Sequence, residues 1–198
     1  DLFKKYVLMQ GASPQAITEF KQNYYKMLQI ATIHADGKRL ILKNPVNTAR
    51  VRLLLELFPD AKFIHICRSP YEVFASARQL QQKLLSITTL QTIDSQNAED
   101  TVLTLYEDMM QNFFAERTLI PLHNLVEVRY EDLEKDPLRE LQRIYENLHL
   151  PGYSEAESAF CSYLDSQRSY RKNSNDLSEE DCKHVEHRWA FAFKELRY

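Results

Sequence analysis

Residues 63–72 read Phe-Ile-His-Ile-Cys-Arg-Ser-Pro-Tyr-Glu, and no other stretch constrains the fold so tightly. An apolar run of strand length stops at Ser69, a preferred helix N-cap; Pro70 suits the first helical position and Glu72 adds a favourable charge at the third. A strand that turns directly into a helix is predicted. Upstream, residues 39–43 form a second short apolar run, stopped by Asn44-Pro45, and between the two runs Val51, Leu54, Leu55 and Phe58 recur at helical spacing. Strand, crossover helix and strand are the unit from which parallel sheets are built. A third run at 124–130 is preceded by a helical pattern over 97–117 and followed by one over 132–148. The predicted class is α/β, a doubly wound parallel sheet flanked by helices.

The remaining elements are helical. Pro14 follows Ser13 and opens an amphipathic helix over 14–33, ended by the turn His34-Ala35-Asp36-Gly37. Residues 153–165 read as a helix, 168–173 as a basic loop, and Ser178-Glu179-Glu180-Asp181 as a capping-box start to a last helix through Val185 and Trp189 to Phe193. Mobility is expected in the polar stretches 88–99 and 165–178. With no internal repeat, residues 1–198 are expected to form one domain.

Composition narrows the chemistry. A 44% hydrophobic content supplies a sizeable core, and a net charge of −3 gives no general attraction to nucleic acid or an anionic membrane. Any anion site must be local. No apolar run reaches the roughly 18 residues of a membrane span. Cys67, Cys161 and Cys182 are too few and too scattered for a zinc site or a disulfide scaffold, so they read as reduced thiols, in keeping with a cytoplasmic setting. The sequence holds 3 Gly, at positions 11, 37 and 152, so no segment can be a glycine-rich loop that cradles phosphates. Both a P-loop and a Rossmann fingerprint are excluded within it.

Arg68 is the leading anion-binding candidate. It stands between the carboxyl end of a parallel strand and the amino end of a helix, where ligands of open α/β sheets sit. Ser76 lies two turns on, on the face of Ser69, so its hydroxyl could join the guanidinium on one phosphate. The plainer alternative pairs Arg68 with a nearby carboxylate and leaves Ser76 to packing. Lys43 ends the first predicted strand at the same sheet edge, where an ammonium can reach a transferring group; otherwise it is an exposed strand-end lysine. Arg171 and Lys172 are a second anion candidate or simply solvated charge. Tyr130, closing the third strand, either stacks on a base or fills the core, while Glu131 and Asp132 supply negative charge to the helix that follows. His65 is read as a hydrogen-bonded core residue; His34, His123, His149, His184 and His187 show no catalytic or metal-ligating spacing.

Taken in order, these segments resemble the sulfotransferases that use 3′-phosphoadenosine 5′-phosphosulfate (PAPS). The resemblance lies in Leu42-Lys43-Asn44-Pro45, in residues 53–64, in Arg68-Ser69-Pro70 with Ser76, in Val128-Arg129-Tyr130-Glu131-Asp132-Leu133 and in Tyr170-Arg171-Lys172-Asn173. It runs from about residue 39 to 198. It implies a three-layer fold like that of P-loop nucleotide kinases. It also implies that Arg68 and Ser76 hold the 3′-phosphate, that Arg171 and Lys172 close over it, that Tyr130 contacts the adenine and that Lys43 lies beside the sulfuryl group, with no metal. Two departures accompany it. The family's Gly-containing phosphosulfate loop, with its Lys or Arg on the bridging oxygen, precedes the first strand and is not in this sequence. The places where soluble members often carry a catalytic His hold Pro45 and Asn47, neither of which can act as a base.

The expected function is therefore transfer of a sulfuryl group from PAPS to a hydroxyl or amine. The acceptor class stays open between carbohydrate, phenol, lipid and peptide, with its pocket shaped by segments near 84–97 and 153–167. The chain is expected to be an N-terminally incomplete sulfotransferase domain, inactive or severely impaired as it stands. Two other readings compete: a P-loop-type nucleotide or small-molecule kinase, and a non-catalytic nucleotide-binding or scaffold domain.

Overall fold

A computed structural model of the chain describes residues 2–88, 95–169 and 176–198. The expected mobile stretch at 88–99 falls partly outside these residues; Ser95 onward is helical. The chain divides into two compact units, one formed by residues 1–61 and 108–120, the other by residues 62–107 and 121–198.

The first unit is helical. Its elements are α1 (Leu2–Leu8), α2 (Pro14–His34), a 3-10 turn (Pro45–Ala49), α3 (Val51–Leu57) and the last part of α5 (Ser95–Glu116). Ser13 caps α2, its hydroxyl accepting the Ala16 amide at 3.2 Å, and Gly37 at φ +74° lets the chain leave the helix. Val7, Leu8, Leu28, Ala49, Leu54 and Phe113 are among its buried apolar residues. Arg50 ties α1 down, its Nε donating to the Val7 carbonyl at 3.0 Å. Residues 39–43 do not form the expected strand. A strand needs a neighbour for its amides and carbonyls and cover for its side chains. Here Ile41 is 90% exposed, and the intrinsic β-preference of this run goes unused.

The second unit carries the sheet. Strands β1 (Phe63–Cys67) and β2 (Leu125–Arg129) pair in parallel, with Phe63 opposite Leu125 and Cys67 opposite Arg129. Around them lie α4 (Pro70–Thr88), the first part of α5, α6 (Tyr130–Lys135), α7 (Pro137–Asn147), α8 (Tyr153–Ser166) and α9 (Glu179–Leu196). Thus the architecture is mostly helical α/β, with a two-stranded parallel sheet among the described residues. The single helix expected over 132–148 is two helices, because Pro137 cannot donate to the ladder and Asp136 caps a new start, accepting the Arg139 amide at 3.3 Å.

Two clusters hold this unit together. Val126, Val128, Ile144 and Leu148 join β2 to α7, and Phe74, Leu103, Val185, Trp189 and Ala192 join α4, α5 and α9. Trp189 is fully buried and its indole N–H donates to the Leu103 carbonyl at 3.0 Å. Next to it, Arg188 reaches Asp100 at 2.8 Å and Glu107 at 3.0 Å. The capping box predicted at Ser178 is formed in full: the Ser178 hydroxyl accepts from the Asp181 amide and the Asp181 carboxylate accepts from the Ser178 amide, both at 3.1 Å.

Candidate functional site

The strand-to-helix junction places Arg68 immediately after β1 and two residues before α4 begins at Pro70. Its side chain is about three-quarters buried. One face of the guanidinium lies over the Tyr130 ring, 4.6 Å from the centroid, and Nη2 donates to Glu72 Oε2 at 2.7 Å. Nε is buried without a hydrogen-bond partner among the described residues. A buried guanidinium nitrogen normally finds an acceptor, and leaving it unpaired costs about 1–3 kcal/mol. Arg68 thus pairs with a carboxylate four residues on, as the plainer reading has it, while its Nε is left without a partner among the described residues.

Tyr130 is where β2 turns into α6, so the parallel register brings the two strand ends, Arg68 and Tyr130, side by side. Ser76 sits on α4 and is exposed, one turn beyond Glu72 and two beyond Ser69. The junction is braced by a residue that the sequence assigns only to helix-start charge. Glu131 Oε1 accepts the Ser69 amide at 3.0 Å, and Oε2 accepts the Tyr198 hydroxyl at 2.6 Å. Tyr198 in turn stacks against Arg129, whose guanidinium lies 4.1 Å from the ring centroid. Burial pushes the Glu131 carboxyl up, but the hydrogen bonds from Tyr198 and the Ser69 amide, with the charge of Arg129, outweigh it and hold it below the usual carboxylate value. Burial, followed by the bond to Glu131, raises the Tyr198 phenol, so it stays a donor.

Lys43 belongs to the first unit, in the irregular segment before Pro45, where it is exposed. Arg171 and Lys172 lie outside the described residues. Where described, the segments expected to shape an acceptor pocket are largely helical: α4 runs to Thr88, α5 starts at Ser95 and α8 covers Tyr153–Ser166. His65 matches its core reading, with a side chain only 10% exposed and Nδ1 at 3.4 Å from Glu127 Oε1 across the strand pair.

The first unit contains a cavity of about 170 Å³, with Leu8, Met9, Ile17 and Leu53 as apolar lining. Its charged rim is paired, Lys21 with Glu56 and Arg52 with Glu116, and none of the candidate site residues read from the sequence lines it. Among the described residues there is no cluster of three or more metal-ligating side chains, and no helix is long and apolar enough to cross a membrane.

Two functional neighbours escape the sequence reading. Glu72 is signalled by its i+4 spacing from Arg68. Glu131 carries no comparable signal, because its partners are 62 and 67 residues away.

Residues 9–155 match the sulfotransferase family. Over 188 residues the chain is 32% identical to omega-hydroxy-beta-dihydromenaquinone-9 sulfotransferase Stf3 of Mycobacterium bovis and of Mycobacterium tuberculosis, covering 95% of this chain and 48% of each relative. The chain thus spans about half the length of these curated relatives. Its fold is similar to the crystal structure of sulfotransferase STF9 from Mycobacterium avium, with a TM-score of 0.71 at 20% identity over 80% of this chain and 42% of the other.

Proposed function

The chain belongs to the sulfotransferase family, and from that premise we propose that it carries the nucleotide-anchoring part of an enzyme that transfers a sulfuryl group from PAPS to an acceptor hydroxyl or amine. The observation that carries the proposal is the unpaired, buried Nε of Arg68, supported from below by Tyr130 at the joined strand ends. A phosphate oxygen there would accept the reserve donor in a charge-assisted bond. In this reading Arg68 and Ser76 hold the 3′-phosphate, Arg171 and Lys172 close over it, and Tyr130 shares its ring between the guanidinium and the adenine. Lys43 serves the sulfuryl end. No metal takes part.

The chemistry is an in-line displacement at sulfur: a bond forms from the acceptor oxygen or nitrogen to sulfur, the bridging S–O bond breaks, and 3′,5′-ADP and the acceptor's proton leave. Such transfers depend on positioning and on cations around the moving charge. The finer architecture goes with this reading: a three-layer, P-loop-kinase-like sheet that β1 and β2 form in part. The relative's name, a menaquinone derivative carrying an omega-hydroxyl, favours a lipid hydroxyl as acceptor here; the cytoplasm as the place of action goes with the reading of the three cysteines as reduced thiols.

Calorimetry tests the anchor. Parent protein is expected to bind 3′,5′-ADP, and Arg68→Ala to bind it at least about tenfold more weakly, the worth of one charge-assisted hydrogen bond. Equal affinity for the two would overturn the assignment. Incubation with labelled PAPS and an omega-hydroxylated menaquinone tests the acceptor class; label that stays out of the lipid while entering another hydroxyl compound would refute that choice.

A further inference from the structure

We propose that Glu131 is a positioning residue for the anion site, setting the orientation of Arg68 toward a single phosphate through the main chain at Ser69. The proposal rests on the reading of Arg68 as the phosphate anchor.

The geometry forms a closed ring. Arg68 lays its guanidinium over Tyr130; Tyr130 is bonded through the backbone to Glu131; Glu131 Oε1 accepts the amide of Ser69 at 3.0 Å; and Ser69 is the residue after Arg68. Both routes between strand ends, one through side chains and one through backbone, meet at Arg68. With the ring closed, the backbone that aims the side chain and the aromatic face that supports it cannot move independently. This is the condition under which one donor, Nε, remains buried and unpaired while Nη2 is held at Glu72.

The choice of donor matters. Pro70 has no N–H, so at the cap of α4 the Ser69 amide is a main-chain donor that its neighbour cannot replace. Left open, it would offer an approaching anion a second place to bind, as helix starts do. Glu131 occupies it and so withdraws that amide from an approaching anion. Tyr198 locks the other carboxylate oxygen at 2.6 Å, and Arg129 reaches both the Tyr198 ring and the Arg197 carbonyl, the latter at 3.3 Å. The carboxylate is thus fixed from both oxygens and has no freedom to turn toward Arg68 itself.

The consequence is selectivity for a phosphate in one position, and binding of two nucleotides to the full chain tests it. Glu131→Ala is expected to weaken 3′,5′-ADP at least tenfold while changing affinity for 5′-AMP, which lacks the 3′-phosphate, by less than twofold. Glu131→Asp keeps the charge but shortens the reach, and is expected to behave like Glu131→Ala. Glu131→Gln keeps an oxygen for the Ser69 amide and should stay within about threefold of parent. Folding of each variant is checked by circular dichroism, and Glu131→Asp decides the matter if Glu131→Ala does not fold. The positioning role is overturned if Glu131→Asp binds 3′,5′-ADP as tightly as parent, or if 3′,5′-ADP and 5′-AMP weaken equally. Arg68→Ala separates the causes: if it weakens 3′,5′-ADP and Glu131→Asp does not, only the positioning role falls. If Arg68→Ala also leaves affinity unchanged, the anchor reading itself has failed.

Discussion

Around Arg68, attraction and competition are finely matched. Glu72 satisfies Nη2 at 2.7 Å, so a phosphate that engages Nη2 as well as Nε must share that nitrogen or displace the carboxylate. The pair is only partly buried, 24% and 44% exposed, and an i,i+4 pair in such a setting contributes about 0.3–0.5 kcal/mol. Glu72→Gln is therefore expected to leave stability almost unchanged while tightening 3′,5′-ADP by about three- to tenfold, as a repelling charge goes. A weaker affinity by calorimetry would mean that Glu72 orients Arg68 rather than competing for it. Arg68 was legible in the sequence because strand, cap and proline are local signals; Glu72 was read only as helix-start charge, although its spacing from Arg68 carried a signal for the pair. The bracing by Glu131 and Tyr198 was not, since it depends on two strand ends meeting in parallel register and on where α9 finishes.

Among the elements, helix starts follow local chemistry closely and strands do not. Ser13, Asp136 and Ser178 each cap a helix as their sequence neighbourhoods predict or permit, whereas residues 39–43 have strand composition and no strand. A cap is completed within four residues; a strand is completed only by a neighbour. The capping box of α9 also gives a pH signature. Burial pushes Asp181 up, but the bonds from the Ser178 amide and hydroxyl and from Arg78, at 3.0 Å, hold it below its ordinary value. The folded state thus favours the charged form. Its contribution is present above the unfolded value, near pH 4, and is lost as the pH falls further toward the folded one. Asp181→Asn should cost about 1 kcal/mol at neutral pH and less at pH 3; urea midpoints at the two pH values check this, and an equal cost at both would contradict it. Packing against the same helix is worth more: Trp189→Ala removes a fully buried indole and is expected to cost about 3–5 kcal/mol by urea denaturation.

Across the whole molecule, the family was readable from a few short segments and the α/β class in part, while the grouping of the helices into two compact units was not. Helical spacing tells which face of a helix is apolar, but not which neighbours it will choose. The alkaline limit belongs to this scale. Burial raises the phenol of Tyr106 above its ordinary value near 10, as it does that of Tyr198. Folding therefore favours the neutral phenols; their contribution is intact below about pH 10 and is lost as the pH rises above it. Tyr106→Phe should blunt the loss of stability above pH 10 in a thermal-melt series. Optically, the molecule is lopsided. Trp189 is the chain's one tryptophan and lies inside the second unit, so selectively excited emission reports the melting of that unit alone, whereas circular dichroism averages it with α1, α2 and α3. A nucleotide seated on Arg68 at about 100 times its Kd would displace the emission curve by about 2.7 kcal/mol of added stability, making one indole a built-in gauge of occupancy at the strand ends.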